Sequence, residues 1–378
     1  MRVAIVDTYY PAFLAAQYRS QTELSRASYE AQHAALMDEC FGTSDAYSRH
    51  LRELGHEAVD LVANCFELQR AWAEEHGSLP ILRLLGALPT RIGLFAQRQL
   101  LRAVIQAQVD ALDPDVVYAQ DLWFLGAEQL DAFRAQGRLV VGQIASPAPP
   151  AGILRHYDLI TTSFPHFVNR FRSLGVDSEY LKIGFYEQVL ERLRHGGFDG
   201  SAVSERPYGV TFVGGLNPAV HSEGTALLER LSAKVSLEVW GYGATDLPRT
   251  SSLSARHHGE AWGIQMYEVL ARSRISINRH IDAAEGYANN MRMFETTGVG
   301  ALLFTEAAPN LTDLFEPGRE VVAYESEEDL VEKVHHYLEH DEERLQIAAA
   351  GQARTLAEHT YRQRMAELTE MLKSRLKR

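Results

Sequence analysis

The chain alternates between short apolar, β-branched runs and longer stretches with helical spacing. The runs RVAIVD, HEAVDLVAN, DVVYAQD, RLVVGQIA, DLITTS and SEYLKIGF come first; GVTFVGG, SLEVWGYG, RISINRH, GALLFTE and EVVAY follow. Short apolar runs bounded by turn residues and separated by helical patterns predict parallel strands with helices on both faces. Residues 16–54 and 67–111 read as two helix-rich insertions in the first half. Between the two series lies RHGGFDGSAVSERP, polar and aperiodic, which predicts a linker over 194–207. From EEDLVEKV onward the pattern is helical, with a break expected near Gly351.

Length agrees with this division. A chain of 378 residues exceeds what one core supports, and two domains of roughly 150–200 residues are expected. The expected organisation is an α/β chain of two doubly wound parallel-sheet domains. Residues 1–193 form the first, 194–207 link, 208–360 form the second, and 361–378 form a closing helix that packs back on the first. In open sheets of this kind ligands sit beyond the carboxyl ends of the strands, here in an interdomain cleft.

Composition removes some functions. A net charge of −13 is wrong for wrapping nucleic acid, whose phosphates demand a basic surface. Small anions remain open, because they bind local dipoles and a few cations. Two cysteines, Cys40 and Cys65, form no metal or disulfide pattern and suit a reducing compartment. The opening MRVAIVDTYYPAFLAAQ reads as a strand and loop rather than a signal peptide, and no run nears the ~18 apolar residues of a membrane span. A cytoplasmic protein with at most peripheral membrane contact is expected. His335, His336 and His340 lie on a polar helix face, so no metal site is expected. The closing KSRLKR reads as a solvated helix end that suits the dipole.

Candidate chemistry collects at the strand ends. Gly214-Gly215 closes GVTFVGG, and without Cβ atoms the backbone there can approach a phosphate; a plain tight turn fits equally. RISINRH ends in Arg279 and His280, a cation and an imidazole poised for an anion, or a solvated loop. In EGYANNMRMFETTGVG a helix is expected to start near Asn289, with Asn289, Arg292 and Glu295 on one side and Met291, Phe294 and Gly298 packing on the sheet. Asn289, Asn290 and Arg292 at a helix N-terminus favour a diphosphate. An Asn cap with an intrahelical Arg–Glu pair is the other reading. In the first half Asp121, then Asp7 and Asp45, are candidate general bases, and each is also an ordinary cap or turn residue.

NNMRMFETTGVGALLFTE, LFEPGREVVAY and AGQARTLAEHTY, in that order, resemble the C-terminal domain of the spore-maturation CgeB-like glycosyltransferases, a branch of the GT-B class. VDTYYPAFL and FGTSDAYSRHLRELGHEA are similar to the N-terminal halves attached to such domains. The resemblance implies two Rossmann-like domains, a UDP- or GDP-type sugar donor held mainly by the second, and an acceptor facing the first. Glu295 matches the family glutamate that contacts the donor ribose, and Gly214-Gly215 the glycine loop near the diphosphate. The start of the 289 helix matches the phosphate-facing helix. Related enzymes carry another glutamate eight residues upstream, where this chain has Tyr287; its nearest carboxylate is Glu285. The expected activity is metal-independent transfer of a hexose to a hydroxyl on a glycan, lipid-linked, protein or small-molecule acceptor. A sugar-nucleotide epimerase and a non-catalytic spore or surface assembly protein are the alternatives.

Overall fold

A computed structural model describes the whole chain except residues 78–89, 199–205, 218–221, 249 and 377–378. Part of the expected linker (199–205), part of the stretch after Gly215 (218–221) and the last two residues of the basic tail lie outside the described residues. The chain forms two compact units, Met1–Leu181 with Met365–Arg378, and Lys182–Arg364.

The first unit is built on six strands: β1 (Arg2–Asp7), β2 (Glu57–Val62), β3 (Val116–Ala119), β4 (Leu139–Ile144), β5 (Leu159–Thr162) and β6 (Ser178–Tyr180). They pair in parallel in the order β2-β1-β3-β4-β5-β6. The central strands β3 and β5 are buried at every position, as expected of strands covered on both faces. The order reverses between β1 and β3, and it is at the carboxyl ends beside such a switch point that open parallel sheets bind ligands. The closing helix Tyr361–Leu376 contributes its last turns to this unit, where Arg375 bonds Asp177 and Glu179.

The second unit repeats the plan. Its strands β7 (Tyr208–Val213), β8 (Leu237–Trp240), β9 (Ser273–Ile277), β10 (Leu302–Glu306) and β11 (Val322–Tyr324) run in the order β11-β10-β9-β7-β8, all parallel. Here the switch point lies between β7 and β9. Val210, Phe212, Ile275, Ile277, Leu302 and Phe304 of the sheet pack with Leu227, Leu231, Leu330 and Val334 of flanking helices to form the core.

One local expectation is corrected. Gly351 does not break the C-terminal helical region; it lies inside the helix Asp341–Glu358. A Cβ there would stand 2.3 Å from the Glu320 carbonyl oxygen, so this glycine permits a close approach of backbones. The helices instead stop at His340 and again at His359.

Candidate functional site

The carboxyl ends of β7 and β9 and the helix Met291–Gly298 enclose a pocket of about 240 Å³. Its walls include Gly214, Gly215, Tyr242, Asn278, Arg279, His280, Asn290, Met291 and Arg292. The switch-point rule for open parallel sheets therefore locates the same place that the strand-end residues indicated.

The helix Met291–Gly298 has defined stops at both ends. Asn290 is extended, and its Oδ1 accepts the amide hydrogen of Met293 at 3.2 Å, an N-cap. Its Nδ2 donates to Asn278 Oδ1 and to the Arg279 carbonyl, both at 2.8 Å, which pins the helix start to the end of β9. At the other end Gly300 adopts φ +74°. Its amide bonds Thr297 O and that of Ala301 bonds Thr296 O, a Schellman closure. The Gly-Val-Gly run is thus a helix stop that turns the chain into β10. Met291, expected on the sheet face, lines the pocket instead, while Met293 and Phe294 are fully buried.

Two arginines bring positive charge to this helix N-terminus. Arg292 donates through Nε to the Val213 carbonyl at 3.1 Å, and its Nη1 lies 2.6 Å from Glu295 Oε2. Arg279 pairs with Glu306 at 3.3 Å. Glu306 also accepts the His280 amide hydrogen at 3.0 Å. Each cation is thus steadied by one carboxylate behind it. Unpaired backbone amides at a helix start, the helix dipole and guanidinium groups together form an anion receptor.

His280 is not a cation here. Burial, and secondarily the neighbouring Arg279, push its pKa down to about 4. The Asn289 amide donates to Nδ1 at 3.4 Å, so the ring hydrogen sits on Nε2 and points to Thr305 Oγ1 at 3.2 Å. His280 and the buried Asn289 hold the loop rather than supply charge. Glu295 is 6% exposed and absent from the pocket walls; besides Arg292 it accepts from the Tyr267 hydroxyl at 3.3 Å. Glu285 and Tyr287 do not line the pocket either; Glu285 takes a left-handed conformation, φ +49°, after a turn of 3-10 helix at Asp282–Ala284.

The glycines act through close approach. Gly214 donates to the Trp240 carbonyl at 3.0 Å, and the turns after β7 and β8 touch. A Cβ on Gly241 would fall 1.7 Å from Gly214 O. The next described helix begins at Ser222, and its Gly224 leaves room for the Arg279 side chain, 3.4 Å from where a Cβ would sit.

In the first unit the structure joins Asp7 and Asp121. Thr8 bridges them: its amide donates to Asp7 Oδ1 at 2.7 Å and its hydroxyl to Asp121 Oδ2 at 2.8 Å. Burial raises the Asp7 pKa to about 7, against the Thr8 hydrogen bond, with Asp121 adding repulsion. Asp45 stands apart at the start of the helix Ala46–Glu53, 2.8 Å from Arg49. Sequence reasoning passed over Asn278, whose position directly after β9 was the available signal, and Asp60 of β2. Asp60 is 6% exposed and is pushed up to about 7, chiefly by burial. A lone carboxylate inside the apolar run AVDLVA was its signal.

Among the described residues, no group of three or more His, Cys, Asp or Glu is placed to hold a metal ion, and no helix is long and apolar enough to cross a membrane.

Residues 224–370 match the family model described as glycosyl transferase-like. No curated protein matches the chain by sequence. Among solved structures, Anabaena HepE, determined with UDP, is similar with a TM-score of 0.55 and 14% identity, covering 99% of this chain and 100% of its own. The chain has the GT-B fold. Sucrose-phosphate synthase from Thermosynechococcus elongatus shares this GT-B arrangement with a TM-score of 0.57 and 11% identity over 99% of both chains. So does AviGT4, a glycosyltransferase involved in avilamycin A biosynthesis, at 0.56 and 14% over 100% of this chain and 98% of its own. At these identities the likeness is one of fold.

Proposed function

We propose that the protein is a glycosyltransferase that moves a sugar from a nucleoside-diphosphate sugar of UDP or GDP type to a hydroxyl, in the manner of the CgeB-like branch. The observation that carries this reading is the pocket at the β7/β9 switch point, where Arg279, Arg292 and the capped start of Met291–Gly298 converge. That combination suits a diphosphate, as donor phosphate and as leaving group. The match of residues 224–370 to a glycosyl transferase-like model and the UDP bound by Anabaena HepE support the same donor class.

Each side chain has a role in this scheme. Arg292 and Arg279 carry the charge that builds on the leaving diphosphate, and Glu295 holds Arg292 in place. Asn290 fixes the helix start so that its amides stay aimed at the phosphates. In the first unit Asp7 is the carboxylate best matched to take the acceptor proton in an inverting transfer. Its pKa near 7 lets it be ionised at neutral pH while remaining basic enough to accept a proton. Asp121 then serves as the second carboxylate of the pair. The glycosidic bond to the diphosphate breaks as the acceptor oxygen bonds the anomeric carbon, and the acceptor hydrogen passes to Asp7.

The test is isothermal titration with UDP, GDP, CDP and dTDP, followed by the corresponding nucleotide-sugars. Binding of one diphosphate, weakened in Arg292→Ala and Arg279→Ala alike, is the expected result. If none of the four binds, the donor reading is wrong.

A further inference from the structure

The first unit carries an uncommon surface feature at its own switch point. Among the described residues, five large hydrophobic side chains are exposed: Tyr10, Leu54, Trp123, Leu356 and Leu376. The two aromatic ones, Tyr10 at 52% and Trp123 at 50%, both follow the strand ends that carry Asp7 and Asp121. Val6 and Ala119, near those ends, are partners across the β1/β3 ladder. Thr8 ties the two ends together through its bonds to both carboxylates.

Neither ring is loosely held. Tyr10 lies edge-on to Phe41 at 5.7 Å, and Phe41 stacks on Phe13 at 4.1 Å. The Trp123 amide donates to Asp121 Oδ1 at 2.8 Å, while its Nε1 reaches the Pro147 carbonyl, past β4, at 3.4 Å. Two anchored aromatic residues therefore lie within about three positions in the chain of Asp7 and Asp121, the carboxylates that Thr8 joins. Each exposed ring thus offers an apolar face close in the chain to a carboxylate, a pairing of apolar and hydrogen-bonding groups.

We propose that this surface is the acceptor subsite and that the acceptor it takes is a saccharide. This rests on the glycosyltransferase reading above and names the class of its second substrate. A pyranose ring has an apolar C–H face that packs on an aromatic ring and a rim of hydroxyls that donate to carboxylates. Asp7 and Asp121 are acceptors with lone pairs beyond those used by Thr8 and Trp123. A lipid acceptor calls for a contiguous apolar patch, which two carboxylates interrupt. A peptide hydroxyl offers no ring for Tyr10 and Trp123 to face.

The experiment is a ligand-observed NMR and calorimetric screen of the full chain. The probes are methyl α- and β-glycosides of glucose, galactose, mannose and N-acetylglucosamine, with a Ser/Thr peptide and a polyprenyl phosphate as the competing classes. The expected result is binding of at least one glycoside that weakens about tenfold in Trp123→Ala and in Tyr10→Ala, the weight of one aromatic contact. Trp123→Phe, which keeps a ring face, should recover part of it. Circular dichroism of each variant checks folding, and UDP is titrated in parallel. The proposal is overturned if no glycoside binds, if bound glycoside ignores both alanine variants, or if the peptide or polyprenyl phosphate is what the variants lose. Loss of UDP binding would strike the donor reading alone, since the glycoside result is read separately.

Discussion

Replacing Arg292 probes the donor pocket, provided its two jobs are separated. Its side chain is 18% exposed and that of Glu295 only 7%, and the pair meets at 2.6 Å. Arg292→Ala leaves Glu295 buried with the Tyr267 hydroxyl at 3.3 Å. Breaking a buried pair from one side costs about 3–5 kcal/mol, and the partial exposure of Arg292 argues for the lower end, about 3 kcal/mol. Glu295→Ala costs less, about 1–2 kcal/mol, because the arginine left behind can turn toward solvent. The double variant should lose less than the sum of the two, by about 1–3 kcal/mol of coupling. Urea unfolding of the four proteins measures this half of the cycle. The other half is affinity for UDP and for inorganic pyrophosphate by calorimetry. A charge-assisted hydrogen bond to phosphate is worth about 1.5–3 kcal/mol, so Arg292→Ala should weaken both ligands by about ten- to a hundredfold. In the Arg292→Ala background, Glu295→Ala should change neither affinity further. If pyrophosphate binds Arg292→Ala as tightly as it binds the parent, Arg292 does not face the phosphates and the pocket assignment fails. A further loss for UDP alone in the double variant would refute the positioning role and make Glu295 a ribose contact.

Turnover should rise with pH through about 7, where Asp7 loses its proton, and a pH–rate profile of Asp7→Asn should show no such limb and a rate about 10²–10⁴ lower; an unchanged limb would acquit Asp7. Asp60 is raised from 3.8 to about 7, chiefly by burial, with Ser48 and Arg52 opposing and Asp45 and Asp7 adding repulsion. Between these values the native state binds the extra proton, so this contribution is full below pH 3.8 and lost as pH climbs through about 7. The loss is about 4 kcal/mol for a shift of this size. Asp60→Asn should therefore come nearest the parent in urea unfolding below pH 4 and gain on it steadily up to pH 8, and an identical pH slope would contradict the reasoning. Gly241→Ala places a Cβ 1.7 Å from the Gly214 carbonyl oxygen, so the two turns must separate. Stability should drop by about 3 kcal/mol or more, with weaker UDP binding by calorimetry; a variant that melts like the parent would show that the turns can yield.

Much of the architecture was legible along the chain. Period and turn residues announce strands and helices locally, and the eleven strands among the described residues lie on the apolar runs, with β7 and β9 each starting one residue earlier. Alternation of strands and helices also implies parallel sheets, because parallel neighbours need crossovers. The strand-end position of Gly214-Gly215, Arg279-His280 and Asp7 follows from the same local pattern. Gly351 misled because a glycine in a helical stretch signals either a stop or a close contact, and only the neighbouring Glu320 carbonyl decides which.

The partners of each side chain were beyond the sequence. Asn289, Asn290, Arg292 and Glu295 read as one polar helix front. Folded, they divide: Asn290 caps and ties the helix, Arg292 reaches the pocket, Glu295 turns inward to Arg292, and Asn289 is buried with its backbone amide on His280. The neutral state of His280 and the raised pKa of Asp7 likewise depend on burial by residues far away in the chain. Sequence determines what each residue can donate, accept or bury, since those are properties of the side chain and its near neighbours. Which of those capacities is spent inside the protein and which is left for a ligand is decided by strand order, because the switch points at β1/β3 and β7/β9 bring distant loops together.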